Sequence, residues 1–287
     1  MFVYKEYDQE LLDNQYNTRL HVPEYADYFE RWEQLSRETE QGLPVIKDLS
    51  YGSLPRERLD IYPSVQPGSK TLVFIHGGYW QTLDKSMFWF IANGFHSYGV
   101  TTVLVTYPLA PEVSIDQVVL SCKKAIQWLY SNLSAFNGDP DQIYVAGHSA
   151  GGHLAAMLMA TDWKVFDSHL PTDVLKGVCA VSGLFNLVPI QRSYLNAVLK
   201  IDAETAKWNS PVRLEPLSTC PLVVAVGEAE TAEFKDQSKE FYSCWKDKGA
   251  DVQLLQLPGQ NHYSIAEAMV DNQSSLHQGL RELMELK

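Results

Sequence analysis

The sequence predicts an α/β fold, a mostly parallel, doubly wound sheet with helices on both faces. Three observations predict it. Short apolar runs recur at Thr71–Ile75, Thr102–Thr106, Gly177–Ser182, Leu222–Val226 and Val252–Leu257, as expected of strands buried on both faces. Helical segments stand between them, and strand–helix alternation implies parallel strands joined by right-handed crossovers. Finally, Gly147-His148-Ser149-Ala150-Gly151 joins a β-prone run, Ile143–Ala146, to a stretch of small, helix-favouring residues.

Taken in order, residues 1–45 are polar, aromatic and acidic. Pro23 opens a helix over about Tyr25 to Glu40, with Tyr28, Phe29, Trp32 and Leu35 as its apolar stripe. Gln15-Tyr16-Asn17-Thr18-Arg19 reads as a loop carried with it. Ile46–Leu49 and Leu59–Tyr62 flank a Gly-Ser-Leu-Pro turn, which predicts an antiparallel pair at the sheet edge. His76-Gly77-Gly78-Tyr79-Trp80 follows the first buried strand. A helix carrying Met87, Phe88, Phe90 and Ile91 precedes the second, and Ile115–Leu133 is amphipathic. Asn137–Asp141 is a turn into the strand before Ser149. Residues 186–218 break the rhythm and read as a helical insertion. Phe234–Lys248 and about Asn272 to Met284 are helices, and His262 stands in the loop after the last strand. The 287 residues are read as a single domain, 1–287, with 1–45 and 186–218 as candidate cap or lid.

Composition excludes several classes. The hydrophobic fraction is 45%, the charged fraction 20% and the net charge −12, with no Lys/Arg cluster of the kind nucleic-acid binding needs. No apolar run has the length of a signal peptide or a membrane span, so a cytoplasmic protein without nucleic-acid or membrane partners is expected. The four cysteines, Cys122, Cys179, Cys220 and Cys244, show no Cys-x-x-Cys spacing, and free thiols in a reducing compartment are expected. No Cys/His metal pattern, dinucleotide fingerprint or phosphate loop occurs, so no cofactor or metal is expected.

The Gly-x-Ser-x-Gly spacing has a chemical reason. A serine on a sharp strand-to-helix turn pushes its hydroxyl off the end of the sheet, and flanking glycines keep the turn uncrowded. The following helix aims free N–H groups and its positive dipole end at that hydroxyl. Ligands of doubly wound sheets sit off the carboxyl ends of the strands. Ser149, the His76 motif, Glu230 and His262 all follow a predicted strand.

On these residues the chain resembles an α/β-hydrolase, of the arylformamidase (kynurenine formamidase) kind, close to the hormone-sensitive-lipase-like esterases. The resemblance covers about residues 45–287. It rests on His76-Gly77-Gly78-Tyr79-Trp80, Gly147-His148-Ser149-Ala150-Gly151, Val226–Phe234 and Asn261-His262-Tyr263. The Tyr-Trp after the glycines and the Ala-Gly-Gly-His-Leu-Ala-Ala-Met continuation favour the formamidases. Tyr107-Pro108-Leu109-Ala110-Pro111-Glu112 is similar to a segment of the lipase-like esterases, and Tyr16-Asn17-Thr18-Arg19 to one of bacterial formamidase-like hydrolases.

The resemblance implies roles. Ser149 is the nucleophile and His262 its base, in the chain order Ser, acid, His that this fold uses. The acid follows Leu222–Val226. Most such enzymes carry Asp there, whereas this chain offers Glu228, Glu230 and Glu233. Aligning Gly227 and Phe234 with the family pattern selects Glu230, with Glu228 the runner-up. The N–H groups of Gly78, Tyr79 and Ala150 form the oxyanion hole. His76, His148 and His153 brace loops. Tyr79 and Trp80, with Phe88 and Trp89 near them in sequence, are candidates to line an aromatic cleft. The implied activity is hydrolysis of N-formyl-L-kynurenine to kynurenine and formate in tryptophan breakdown. The alternative is a carboxylesterase on small acyl or aryl esters, and a non-catalytic binding module would retain the fold alone. The fold is also compatible with a homodimer.

Overall fold

The computed structural model describes residues 1–287. Eight strands form one sheet: β1 (Ile46–Ser50), β2 (Arg58–Tyr62), β3 (Ser69–Ile75), β4 (Thr101–Thr106), β5 (Gly138–His148), β6 (Leu175–Val181), β7 (Leu222–Gly227) and β8 (Val252–Leu257). Their order is β1-β2-β4-β3-β5-β6-β7-β8. β2 pairs antiparallel with β1 and with β4, and every other pair is parallel. The predicted antiparallel edge and parallel body are both present.

Alternation along the central strands divides the interior in two. Val73, Val145, Val178 and Val224 face one hydrophobic layer, closed by helices Ile115–Asn132, Ala150–Met159 and Ala232–Asp247. Phe74, Ala146, Cys179 and Ala225 face the other, closed by Tyr25–Gly42, Phe90–His96 and Ser275–Leu283. Burial on both faces explains why these strands read as unbroken apolar runs.

Three expectations are corrected. Gln15–Arg19 is not a loop: helices Gln9–Tyr16 and Thr18–His21 meet there, hinged at Asn17. The first is capped by the Asp8 side chain, which accepts the Leu11 N–H at 3.0 Å. Leu35 is exposed, because the helix Tyr25–Gly42 buries Trp32, Ser36 and Thr39 instead. Asn137–Asp141 is largely strand, since β5 starts at Gly138 and pairs there with Ser69. The insertion is helical as expected, in short pieces at Val188–Arg192, Asn196–Leu199 and Ala203–Trp208.

The N-terminal arm is bolted to the body through buried polar bonds. The Tyr16 hydroxyl donates to Glu233 Oε2 at 2.9 Å and accepts from Gln237 Nε2 at 2.8 Å. Lys5 Nζ holds the other Glu233 oxygen at 2.9 Å. Burial and the neighbouring Glu233 carboxylate both push the Tyr16 phenol well above its ordinary pKa.

Candidate active site

The turn at Ser149 is built by sterics. β5 ends at His148, Ser149 adopts φ 58 and ψ −119, and the helix starts at Ala150. That backbone is strained by about 1–3 kcal/mol. The glycines on either side are obligatory: a Cβ on Gly147 would stand 2.1 Å from the Gly151 carbonyl oxygen, and one on Gly151 1.9 Å from that of Ile75. The Ser149 N–H is tied to the Val181 carbonyl at 2.8 Å, which fixes the turn against β6.

Three predicted residues from three loops meet here. His262 Nε2 lies 3.0 Å from Ser149 Oγ, and His262 Nδ1 lies 2.7 Å from Glu230 Oε2. A carboxylate only accepts, so Nδ1 carries the hydrogen and a neutral ring leaves Nε2 free to accept from the serine hydroxyl. Glu230 is itself held: its Oε1 accepts from the Ser182 hydroxyl at 2.6 Å and from the Gly227 N–H at 2.8 Å. All three side chains are buried. Glu228, the other contender, is exposed and stands outside this chain of bonds. Glu233 is buried but committed to Tyr16 and Lys5.

The loop after β3 faces the serine. Gly78 has φ +101, and a Cβ there would meet the Thr82 carbonyl oxygen at 2.3 Å, so only glycine fits. Tyr79 and Trp80 also lie at positive φ, 50 and 58. No protein acceptor takes the N–H of Gly78, Tyr79 or Ala150. Gly78, Tyr79 and Ser149 share the walls of one cavity of about 360 Å³. Unpaired donors beside a serine hydroxyl are the arrangement that could hold a developing oxyanion.

The cavity corrects the aromatic assignments. Tyr79 lines it, with its hydroxyl donating to the Tyr16 carbonyl at 2.6 Å. Trp80 does not: it is fully buried, and its indole N–H donates to His153 Nδ1 at 3.2 Å. Its neighbour's side chain points at the cavity, and the turn sends Trp80 into the core instead. Phe88 is also core, packed on Trp32 and Phe74, and Trp89 donates to Asp60 at 2.7 Å. The rings that do line the cavity with Tyr79 are Phe29, Trp32, Tyr194 and Tyr263. Two come from the N-terminal helix and one from the insertion, so both segments proposed as caps supply walls. Ser182, which holds Glu230, was not singled out by sequence. Its signal is its place directly after β6, on the carboxyl edge of the sheet.

The three bracing histidines are buried and neutral. His148 Nε2 donates to the His262 carbonyl at 2.8 Å, fixing the loop that carries His262. His153 Nε2 donates to the Asn209 carbonyl at 2.8 Å, and His76 Nδ1 to the Gly77 carbonyl at 2.8 Å. Burial pushes His76, His148 and His153 down to about 4, about 3 and about 4. An unfolded chain takes up these protons below about pH 6.5, while the folded protein refuses them. The stability tied to the neutral rings is therefore complete above pH 6.5 and is lost as pH falls toward 4. Melting temperatures measured from neutral pH downward should fall through this window, and a level profile would contradict the reading.

The sheet order and the loops at its carboxyl edge define an α/β-hydrolase. Solved structures agree. A candidate thioesterase from Silicibacter sp. tm1040 superposes with a TM-score of 0.81 at 30% identity, covering 92% of this chain and 97% of its own. An esterase from Pyrobaculum calidifontis shares the fold, with a TM-score of 0.67 at 18% identity over 93% of this chain and 94% of its own. The BD-FAE family model matches residues 59–244. The kynurenine formamidase of Salmo salar is 36% identical over 247 residues, which is 83% of this chain and 82% of that protein. The chain is a hydrolase and belongs to the kynurenine formamidase family of α/β-hydrolases.

Proposed function

We propose that this protein is an arylformamidase that hydrolyses N-formyl-L-kynurenine to kynurenine and formate, as a step of tryptophan breakdown. The observation that carries the proposal is the in-line Glu230–His262–Ser149 arrangement at the wall of an aromatic-lined cavity. Its volume, about 360 Å³, lies in the range of small-molecule sites. Membership in the kynurenine formamidase family supports the substrate class.

The steps follow from the geometry. Ser149 Oγ attacks the formyl carbon while its proton passes to His262 Nε2. Glu230 keeps the Nδ1 hydrogen in place and stabilises the imidazolium. The oxyanion forms against the N–H groups of Gly78, Tyr79 and Ala150. An aryl amine leaves poorly as an anion, so His262 returns its proton to the nitrogen as the C–N bond breaks. That step releases kynurenine and leaves Ser149 formylated. Water then attacks the ester, again giving its proton to His262, and formate departs as Ser149 recovers its hydrogen. The rings of Phe29, Trp32, Tyr79, Tyr194 and Tyr263 surround the space available to the aryl group.

Two rates test the assignment: release of the aryl amine from N-formyl-L-kynurenine, and release of p-nitrophenol from short-chain esters. The expected result is a higher kcat/KM for the formamide. Ester turnover without formamide turnover would overturn the formamidase assignment and make the protein a carboxylesterase.

A further inference from the structure

The cavity has an unusual charge balance for so acidic a protein. The chain carries a net charge of −12, yet no Asp or Glu lines the cavity. Arg19, solvent-exposed at the cavity's edge, is the one permanently charged side chain in the lining. It forms no ion pair with any carboxylate of the protein. Its guanidinium stands 4.9 Å from the centre of the Tyr25 ring, a contact that orients the group without neutralising it. The nearest carboxylate to the reacting groups is Glu230, which sits behind His262, outside the lining, with its oxygens taken by His262, Ser182 and Gly227.

The segment that carries Arg19 is held in place. The Thr18 hydroxyl is hydrogen-bonded to the Tyr263 hydroxyl at 2.9 Å. The preceding Tyr16 is fixed at both ends, through its phenol to Glu233 and through its carbonyl to Tyr79. Thr231 Oγ1 donates to the Gln15 carbonyl at 2.8 Å. Arg19 is thus presented from a braced short helix rather than from a free terminus. A planar guanidinium that no carboxylate of the protein occupies matches a substrate carboxylate in two-pronged fashion. In a protein whose overall field repels anions, an unneutralised cation in the cavity wall selects a substrate with negative charge.

We infer that Arg19 is a specificity residue whose guanidinium binds a carboxylate on the substrate, away from the carbonyl that reacts. This inference rests on the proposed function for the position of the reacting carbonyl. It narrows the substrate class to aryl formamides that also carry an acid group.

The test uses ligands that differ in that group alone. Desaminokynurenine, the aryl keto acid without the α-amino group, is compared with its primary amide. Binding of both is measured by calorimetry, and hydrolysis of their N-formyl derivatives by kcat/KM. The native protein is expected to favour the acid by about 10- to 100-fold in both measurements. Arg19→Gln should remove the preference by weakening the acid alone, and Arg19→Lys should keep part of it. In the native protein the preference should shrink as salt rises from about 0.05 to about 0.5 M. Melting temperatures of both variants at the native value exclude misfolding as the cause. Equal binding of acid and amide by the native protein would overturn the inference, as would a parallel loss of both in Arg19→Gln. If neither formamide is hydrolysed while acid binding still depends on Arg19, the formamidase assignment fails and the carboxylate site stands.

Discussion

Ser149→Ala is expected to lower kcat/KM for N-formyl-L-kynurenine by about 10⁴-fold or more and to leave the fold intact. The size follows from the mechanism. The variant retains the cavity and the free N–H groups of Gly78, Tyr79 and Ala150, but no atom remains to take the formyl group. The intact fold follows from the local structure. The strained backbone at φ 58 is imposed by the bond from Ser149 N–H to Val181 and by the glycines on either side, none of which needs the hydroxyl. The hydroxyl's one side-chain bond is to His262. Rates followed by aryl amine absorbance, with a thermal melt on the same sample, check both halves. Activity within tenfold of the native enzyme would remove Ser149 from the mechanism.

Glu230→Gln is expected to cost on the order of 10³- to 10⁴-fold in kcat with little change in KM. The amide has the shape of the carboxylate, so the loss comes from hydrogens. Two donors, the Ser182 hydroxyl and the Gly227 N–H, converge on Oε1. They select the oxygen of the new amide, which turns its NH₂ toward His262 Nδ1. The ring must then accept at Nδ1 and carry its hydrogen on Nε2, where it can no longer receive the serine proton. Equal kcat in Glu230→Gln and the native enzyme would contradict the assignment of the acid.

Much of this was legible from residue order because it depends on local rules. Gly147 and Gly151 announce a crowded turn, and the buried strands declare themselves as unbroken apolar runs. His262 is marked by its place after the last strand. For the acid, the residues alone offered a set of neighbouring glutamates, and only the resemblance selected Glu230 among them. Choosing among Glu228, Glu230 and Glu233 depends on which one the turn after β7 directs inward, and that is decided by Ser182 and Gly227 from across the fold. Trp80 was misassigned for a related reason. Two adjacent residues at positive φ send Tyr79 to the cavity and Trp80 to the core, and no pattern in the sequence distinguishes them. The local structure of Tyr16, Asn17, Thr18 and Arg19 was hidden because these residues have no strong helical periodicity. Their order comes from long-range bonds to Glu233, Gln237 and Tyr263.

The central claim is that Ser149 Oγ is the atom that becomes acylated, and covalent labelling tests it most directly. A fluorophosphonate probe is applied to the folded native protein and to Ser149→Ala, and the adduct is located by mass spectrometry of the peptides. The account predicts one adduct, on the peptide that holds Ser149, slowed by excess N-formyl-L-kynurenine and absent from the variant. A folded native protein that takes no label, or a variant labelled as readily as the native chain, would contradict it.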